Sequence, residues 1–222
     1  MIKLSERPAA QVKLVGGRLC LDFVNSVGGR RRALPSEKGR EQAHMIREEH
    51  LNDYRDLLAW SQHTGLLAET EAQKLIRACR QRQEEATLVL KRALALREAI
   101  YRICKAILDK TPPRRPDLDL LNQELAIAHG RVKLASGKES FVWEWTQGRN
   151  TLDRMLWQIA DSAAELLTTD DLTCLRECGG ENCGWLFLDT SKNHSRQWCD
   201  MRDCGNLAKV RRFRSRLRAQ GT

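Results

Sequence analysis

CGGENCGWLFLDTSKNHSRQWCDMRDC, residues 178–204, is the stretch on which the reading of this chain turns. It holds a C-x4-C pair at Cys178 and Cys183, fifteen intervening residues, and a second C-x4-C pair at Cys199 and Cys204. Two cysteine pairs with short internal spacing let two tight turns close around one ion. Zinc takes four soft, deprotonated ligands of this kind in a tetrahedron. The spacing therefore predicts one structural Zn2+ held by Cys178, Cys183, Cys199 and Cys204, with Gly179, Gly180 and Gly184 giving the first turn its freedom. Cys174, four positions upstream, and His194, between the pairs, are the competing ligands, and oxidation of the thiolates to a redox-sensing disulfide is a secondary reading.

Between the pairs, WLFLD alternates as a short strand, Trp185 and Phe187 facing one way and Leu186 and Leu188 the other. Downstream, a helix is predicted from near Cys204. At about 100° per residue, Val210, Phe213 and Leu217 share one stripe that should pack, while Lys209, Arg211, Arg212, Arg214, Arg216 and Arg218 cover the remaining circumference. Residues 204–222 contain those six cations and no acid, so they carry most of the chain's formal charge of +9. A local excess of this size points to a polyanion, nucleic acid before an anionic membrane surface. Lys192, Asn193, Ser195 and Arg196, in the loop between the pairs, are further candidate phosphate contacts. A solvated tail and an ordinary exposed loop are the plainer explanations of these two segments.

Upstream of the cysteines the chain reads as a largely helical body. RLCLDFVN (18–25) alternates at Leu19, Leu21 and Phe23, which suits a half-buried strand ending at Asn25, and residues 30–40 read as a basic loop. Helical spacing begins at about residue 41, runs through Leu51, Tyr54, Leu57 and Leu58, and stops at Gly65. Thr70 with Gln73 offers a capping box for the next helix. Glu84 to Asp109 should be the longest helix, with Leu90, Leu94, Ile100, Ile103, Cys104 and Ile107 in period. The prolines of TPPRRP end it, and Asp117 can cap a following helix that runs through His129. RVKLAS and ESFVWEW form a β-hairpin, and Thr151 to Leu167 returns to helical spacing. Cys20, Cys79 and Cys104 sit among apolar neighbours as buried thiols.

No apolar run approaches the roughly 20 residues that cross a bilayer, and MIKLSERPAAQVKLVGG lacks the apolar centre of a signal peptide, so a cytoplasmic protein is expected. No glycine-rich nucleotide loop, HExxH or recognisable nucleophile setting is present, so an enzyme is the least favoured class. Asp22 and Asn25 are candidates to line a small-molecule effector pocket, although capping and turn roles explain them at least as well.

The segment CGWLFLDTSKNHSRQWCDMRDCGNLAKVRRFRSR resembles the CGNR zinc finger. The shared elements are Trp185, Phe187 and Asp189, then Arg196, Trp198 and Cys199, then Cys204, Gly205 and Asn206. Leu207 stands where that family's name-giving arginine would be, so one cation is missing from the helix face it shares with Arg211, Arg214 and Arg218. LCLDFVNS near the N-terminus and DLLAWSQHTGLL (56–67) resemble the ABATE domain that accompanies this finger. The resemblance implies a stress-responsive transcription regulator. The expected architecture is α+β and predominantly helical: a regulatory or ligand-sensing domain over 1–170, and a treble-clef-like DNA-binding zinc module over 174–222. A homodimer presenting two fingers is the expected assembly. An RNA-binding protein, and an adaptor whose zinc module docks an acidic protein, are the alternatives.

Overall fold

The computed structural model describes residues 3–31, 45–146 and 151–220. Seven α-helices and three antiparallel strand pairs make up the described chain, so the architecture is the mostly helical α+β one expected. The basic loop expected over 30–40 lies outside the described residues from position 32 onward.

Helix α1 (Leu19–Val24) occupies the segment read as a strand. Cys20, Leu21, Phe23 and Val24 are all buried, which is the i, i+3, i+4 grouping of a helix. A six-residue apolar run satisfies both the strand and the helix template, so its packing decides. Here α1 is enclosed by α4 (Gln83–Leu108) and α6 (Arg154–Thr168), and Cys20, Phe23 and Val24 join their leucines and alanines in one core. Phe23 packs its ring 5.1 Å from that of Trp60 on α2 (Tyr54–His63).

Three helix starts differ from expectation. The helix begun at about residue 41 starts at Tyr54, because the Asp53 carboxylate caps the Asp56 N–H and the Asp56 carboxylate returns to the Asn52 and Asp53 N–H groups. Helix α3 (Glu69–Gln81) is entered from Ala68, whose N–H is held by Glu71, so the Thr70–Gln73 box is not used. Helix α5 (Arg115–His129) begins after Arg114, with Pro116 in its first turn where no N–H is needed. Asp117 is therefore inside the helix, buried, and accepts two bonds at 3.0 Å from the Nε of Arg102 on α4 instead of capping. The long helix α4, 26 residues, ends as expected before the prolines, with Lys110 at φ 55° closing it.

Strands β1 (Arg30–Arg31) and β2 (Met45–Ile46) form a two-residue ladder, and β3 (Val132–Ser136) and β4 (Phe141–Trp145) form the expected hairpin. Strands β5 (Leu175–Glu177) and β6 (Leu186–Leu188) bracket the first cysteine pair. The alternation read in WLFLD holds: Leu186 and Leu188 enter the main core, while Phe187 packs with Cys178 and Cys199 on the opposite side. The cysteine module thus shares its hydrophobic core with the helical body through Leu175, Leu186 and Leu188. Among the described residues, no helix is long and apolar enough to cross a membrane.

Candidate metal centre and basic helix

The β5–β6 hairpin sets the first cysteine pair, since Cys178 donates its N–H to the Trp185 carbonyl at 2.8 Å and so continues the ladder to the edge of the knuckle. Of the three glycines near this turn, Gly184 is the one in the left-handed region, at φ 61°. The second pair is set differently. Asp200 caps a π-helical turn, Met201–Gly205, by accepting the Arg202 N–H at 2.8 Å, and Cys204 sits inside that turn. Lys13 from the body reaches Asp200 at 2.7 Å and also contacts Asp203, pinning the turn from outside.

These turns bring the four sulfurs of Cys178, Cys183, Cys199 and Cys204 within 4.8 Å of one another. Cys183 and Cys199 Sγ are 3.6 Å apart, and Cys199 and Cys204 Sγ 3.8 Å. A tetrahedral ion with metal–sulfur bonds of about 2.3 Å requires sulfur separations of about 3.8 Å, so the spacing fits zinc. The Cys178 thiol is drawn far below its ordinary range, first by hydrogen bonds with Cys183 and Cys199 and then by the Cys199 and Gly180 N–H groups at 3.3 and 3.4 Å. The same contacts push Cys183 and Cys199 upward, and burial raises Cys204. Four thiols this close cannot all ionise against one another, and a divalent cation supplies the charge that would let them. Neither competing ligand is in the group. Cys174 ends a 3-10 turn (Asp170–Cys174), and its sulfur is 3.9 Å from His194 Nδ1. His194 also contacts the Asp189 carbonyl at 2.9 Å, in a loop held by Asp189 through the Ser191 and Arg196 N–H groups.

Body and cysteine module are stitched together by residues singled out for other reasons. Asn25, fully buried, donates to the Leu186 carbonyl at 2.8 Å and accepts the Leu186 N–H at 2.9 Å, acting as a strand partner for β6. Asp22 accepts the Gly16 N–H at 2.8 Å; burial raises its carboxyl, opposed by that bond and one from Val15. Both candidates for an effector pocket are thus committed to backbone. Trp185 donates its indole N–H to the Val27 carbonyl at 2.9 Å, and the Arg30 N–H donates to the Cys183 carbonyl at 2.7 Å. At Gly29, φ 122°, any Cβ would lie 2.3 Å from the Asn182 carbonyl oxygen, so only glycine lets the body approach the knuckle this closely. Asn25→Ala strands a buried N–H and a buried carbonyl, each costing about 1–3 kcal/mol. The denaturant midpoint should fall accordingly, by at least about 2 kcal/mol of stability; an unchanged midpoint would remove Asn25 from this role.

Helix α7 (Asn206–Gln220) starts two residues beyond Cys204. From Asn206 to Arg218 every residue but Ala208 is exposed, so Lys209, Arg211, Arg212, Arg214, Arg216 and Arg218 all face solvent. The apolar stripe does not pack as expected: Val210, Phe213 and Leu217 are 45%, 63% and 53% exposed, and Leu207 58%. None of these side chains joins either hydrophobic cluster of the described residues. Arg211 makes an ion pair with Glu181 of the knuckle. Arg196 turns inward: its guanidinium donates to the Trp198 carbonyl at 2.9 Å and to the Cys199 carbonyl, and lies 4.6 Å over the Phe187 ring. Lys192 remains exposed in the loop. Arg47 escaped the sequence reading. Exposed Arg47 joins Lys13, Leu207 and Arg211 around a cavity of about 600 Å³ beside the knuckle, yet in MIREEH its neighbours are acidic and nothing marks it.

Two family models match the chain. ABATE, described as "Putative stress-induced transcription regulator", matches residues 17–170, and the CGNR zinc finger matches residues 175–217. No curated protein matches it.

Proposed function

The chain belongs to the ABATE family and carries a CGNR zinc finger, and from that premise we propose that it regulates transcription by binding DNA through α7. The reading assigns one structural zinc to Cys178, Cys183, Cys199 and Cys204. Four thiolates would fill the metal's coordination shell, leaving no position for a water nucleophile and giving the ion a purely architectural role. That role is to fix the turn from which α7 departs.

The observation that carries the proposal is the state of α7: six cations, no acid, and every one of those side chains in solvent directly after the metal turn. Guanidinium groups make charge-assisted contacts with phosphate, which supply affinity and orientation without selecting sequence. Arg47 extends the basic surface toward the body, and Lys192 adds to it from the loop. Arg196, engaged with backbone carbonyls, contributes by holding the second cysteine pair in place. The body over 1–170 is the regulatory part in this reading, open to a small-molecule effector. With about six phosphate contacts, log affinity should fall against log salt with a slope of roughly −5. A flat salt response would refute the DNA reading.

A second reading draws on the exposed stripe of Leu207, Val210, Phe213 and Leu217, an apolar face that bare phosphate binding leaves in water. It makes α7 a docking element for an acidic protein, and competition between that protein and DNA for α7 separates the two.

A further inference from the structure

One face of the β3–β4 hairpin walls a cleft that neither the metal centre nor α7 uses. Cross-strand pairing sets Val132 opposite Trp145 and Leu134 opposite Trp143, so the two indoles project from the same face of the hairpin. Trp145 anchors the base against Trp157 of α6, ring centroids 6.2 Å apart. Trp143, two pairs further out, is 74% exposed. Between this face, the end of α5 and the outer side of α6 lies a cavity of about 480 Å³, within the range of small-molecule sites.

Its walls differ in kind. Val132, Trp143 and Trp145 form the hairpin side, and Asp161 and Glu165, one turn apart on α6, form the other, with Glu144 at the rim. Among the described residues that line it there is no lysine or arginine, and His129 is the one basic side chain. The carboxylates are incompletely neutralised. Among the described residues, Asp161 pairs with the His129 imidazole alone, at 3.5 Å. Glu165 meets Arg18 at 3.2 Å, but Arg18 is held chiefly by Asp171 through two of its nitrogens. Glu144 faces Lys133 across the strands at 3.5 Å. Two like charges at i, i+4 repel, and a cation between them and the indoles would relieve that repulsion while meeting the negative faces of the rings.

We propose that this cleft binds a small organic cation, an amine or quaternary ammonium bearing an apolar group, with Trp143 and Trp145 against the cation and Asp161 and Glu165 supplying the opposing charge. An anion of the same size would meet carboxylates, and a neutral molecule would bring no charge to oppose them.

The test titrates the zinc-loaded 222-residue chain, without DNA, with phenyltrimethylammonium, benzyl alcohol and phenylacetate by calorimetry and tryptophan fluorescence. Saturable binding of the cation is expected, at least about tenfold tighter than of the neutral or anionic compound. Trp143→Ala should weaken it about tenfold and Trp143→Phe much less. Being exposed, Trp143 can be replaced without loss of the fold. The pair Asp161→Asn and Glu165→Gln should weaken the cation alone. Absence of saturation, equal binding of the three compounds, or unchanged affinity in the carboxylate variant overturns the proposal. Because no DNA is present, the outcome is separate from the fate of the α7 reading.

Discussion

Cys199→Ser should yield a protein that retains no zinc and melts at least about 10 °C below the parent. The hydroxyl is a poor substitute for a thiolate, and the three remaining sulfurs cannot complete a tetrahedron around the ion. Apparent binding energies of structural zinc sites run to about 10–16 kcal/mol, as large as the whole net stability of an ordinary domain. The effect should not stay within the cysteine module. Leu175, Leu186 and Leu188 belong to the main core, and the Asn25, Trp185 and Arg30 bonds tie the knuckle to the body. Unfolding of the knuckle therefore opens the core beneath it, and a thiol-competent chelator should depress the melting of the body as well. Cys174→Ser is the matched control: it lies outside the four-sulfur group and is only partly buried, so zinc content should stay full and the midpoint should move little. Metal analysis and calorimetry on both variants check this. Full zinc content in the Cys199 variant, or complete zinc loss with no change in melting, would contradict the site as described.

How much of this was legible in the sequence follows the range of the interactions involved. The cysteine constellation was legible because its spacing is itself the constraint: two short loops and one ion leave little else that the residues could do. Helix α4 and the alternation of Leu186, Phe187 and Leu188 were legible because a single periodicity ran without competition. Leu19 to Val24 was not, since six residues fit both periods and only the packing of α1 against α4 and α6 selects one. Asp117 and Thr70 fit local capping patterns, yet a half-buried ion pair with Arg102 claims the first and Glu71 supplies the cap in place of the second. Asn25 reads from the sequence as a strand end or a pocket-lining residue, but its partner is 161 residues away on β6, and no local rule reaches that far. The stripe on α7 shows the reverse error. Amphipathic spacing states that a face can pack, and says nothing of whether a surface is there to receive it.

Reversal of Lys209, Arg212, Arg214 and Arg216 to glutamate should lower DNA affinity by at least about a thousandfold at 0.1 M salt. These four are chosen over a set that includes Arg211 because Arg211 already pairs with Glu181, and its reversal would set two carboxylates together beside the metal turn. Each phosphate contact contributes about 0.9 to the slope of log affinity against log salt. Losing four of about six contacts should thus flatten the slope from roughly −5 to roughly −2, before the repulsion of four new carboxylates is counted. Stability should be almost unaffected, because these side chains are exposed and make no ion pair among the described residues, and all four positions tolerate a good helix former. Zinc content should be unchanged for the same reason. The combination isolates α7 from the fold: a variant with its metal and its melting temperature intact but without salt-sensitive binding locates the DNA contact on this helix. Equal affinity and an unchanged slope in the reversed protein would instead move the contact elsewhere. The cations beside the knuckle, Arg47 and Lys13, would then be the next to reverse, and α7 with its exposed Phe213 and Leu217 would be left to the protein-docking reading.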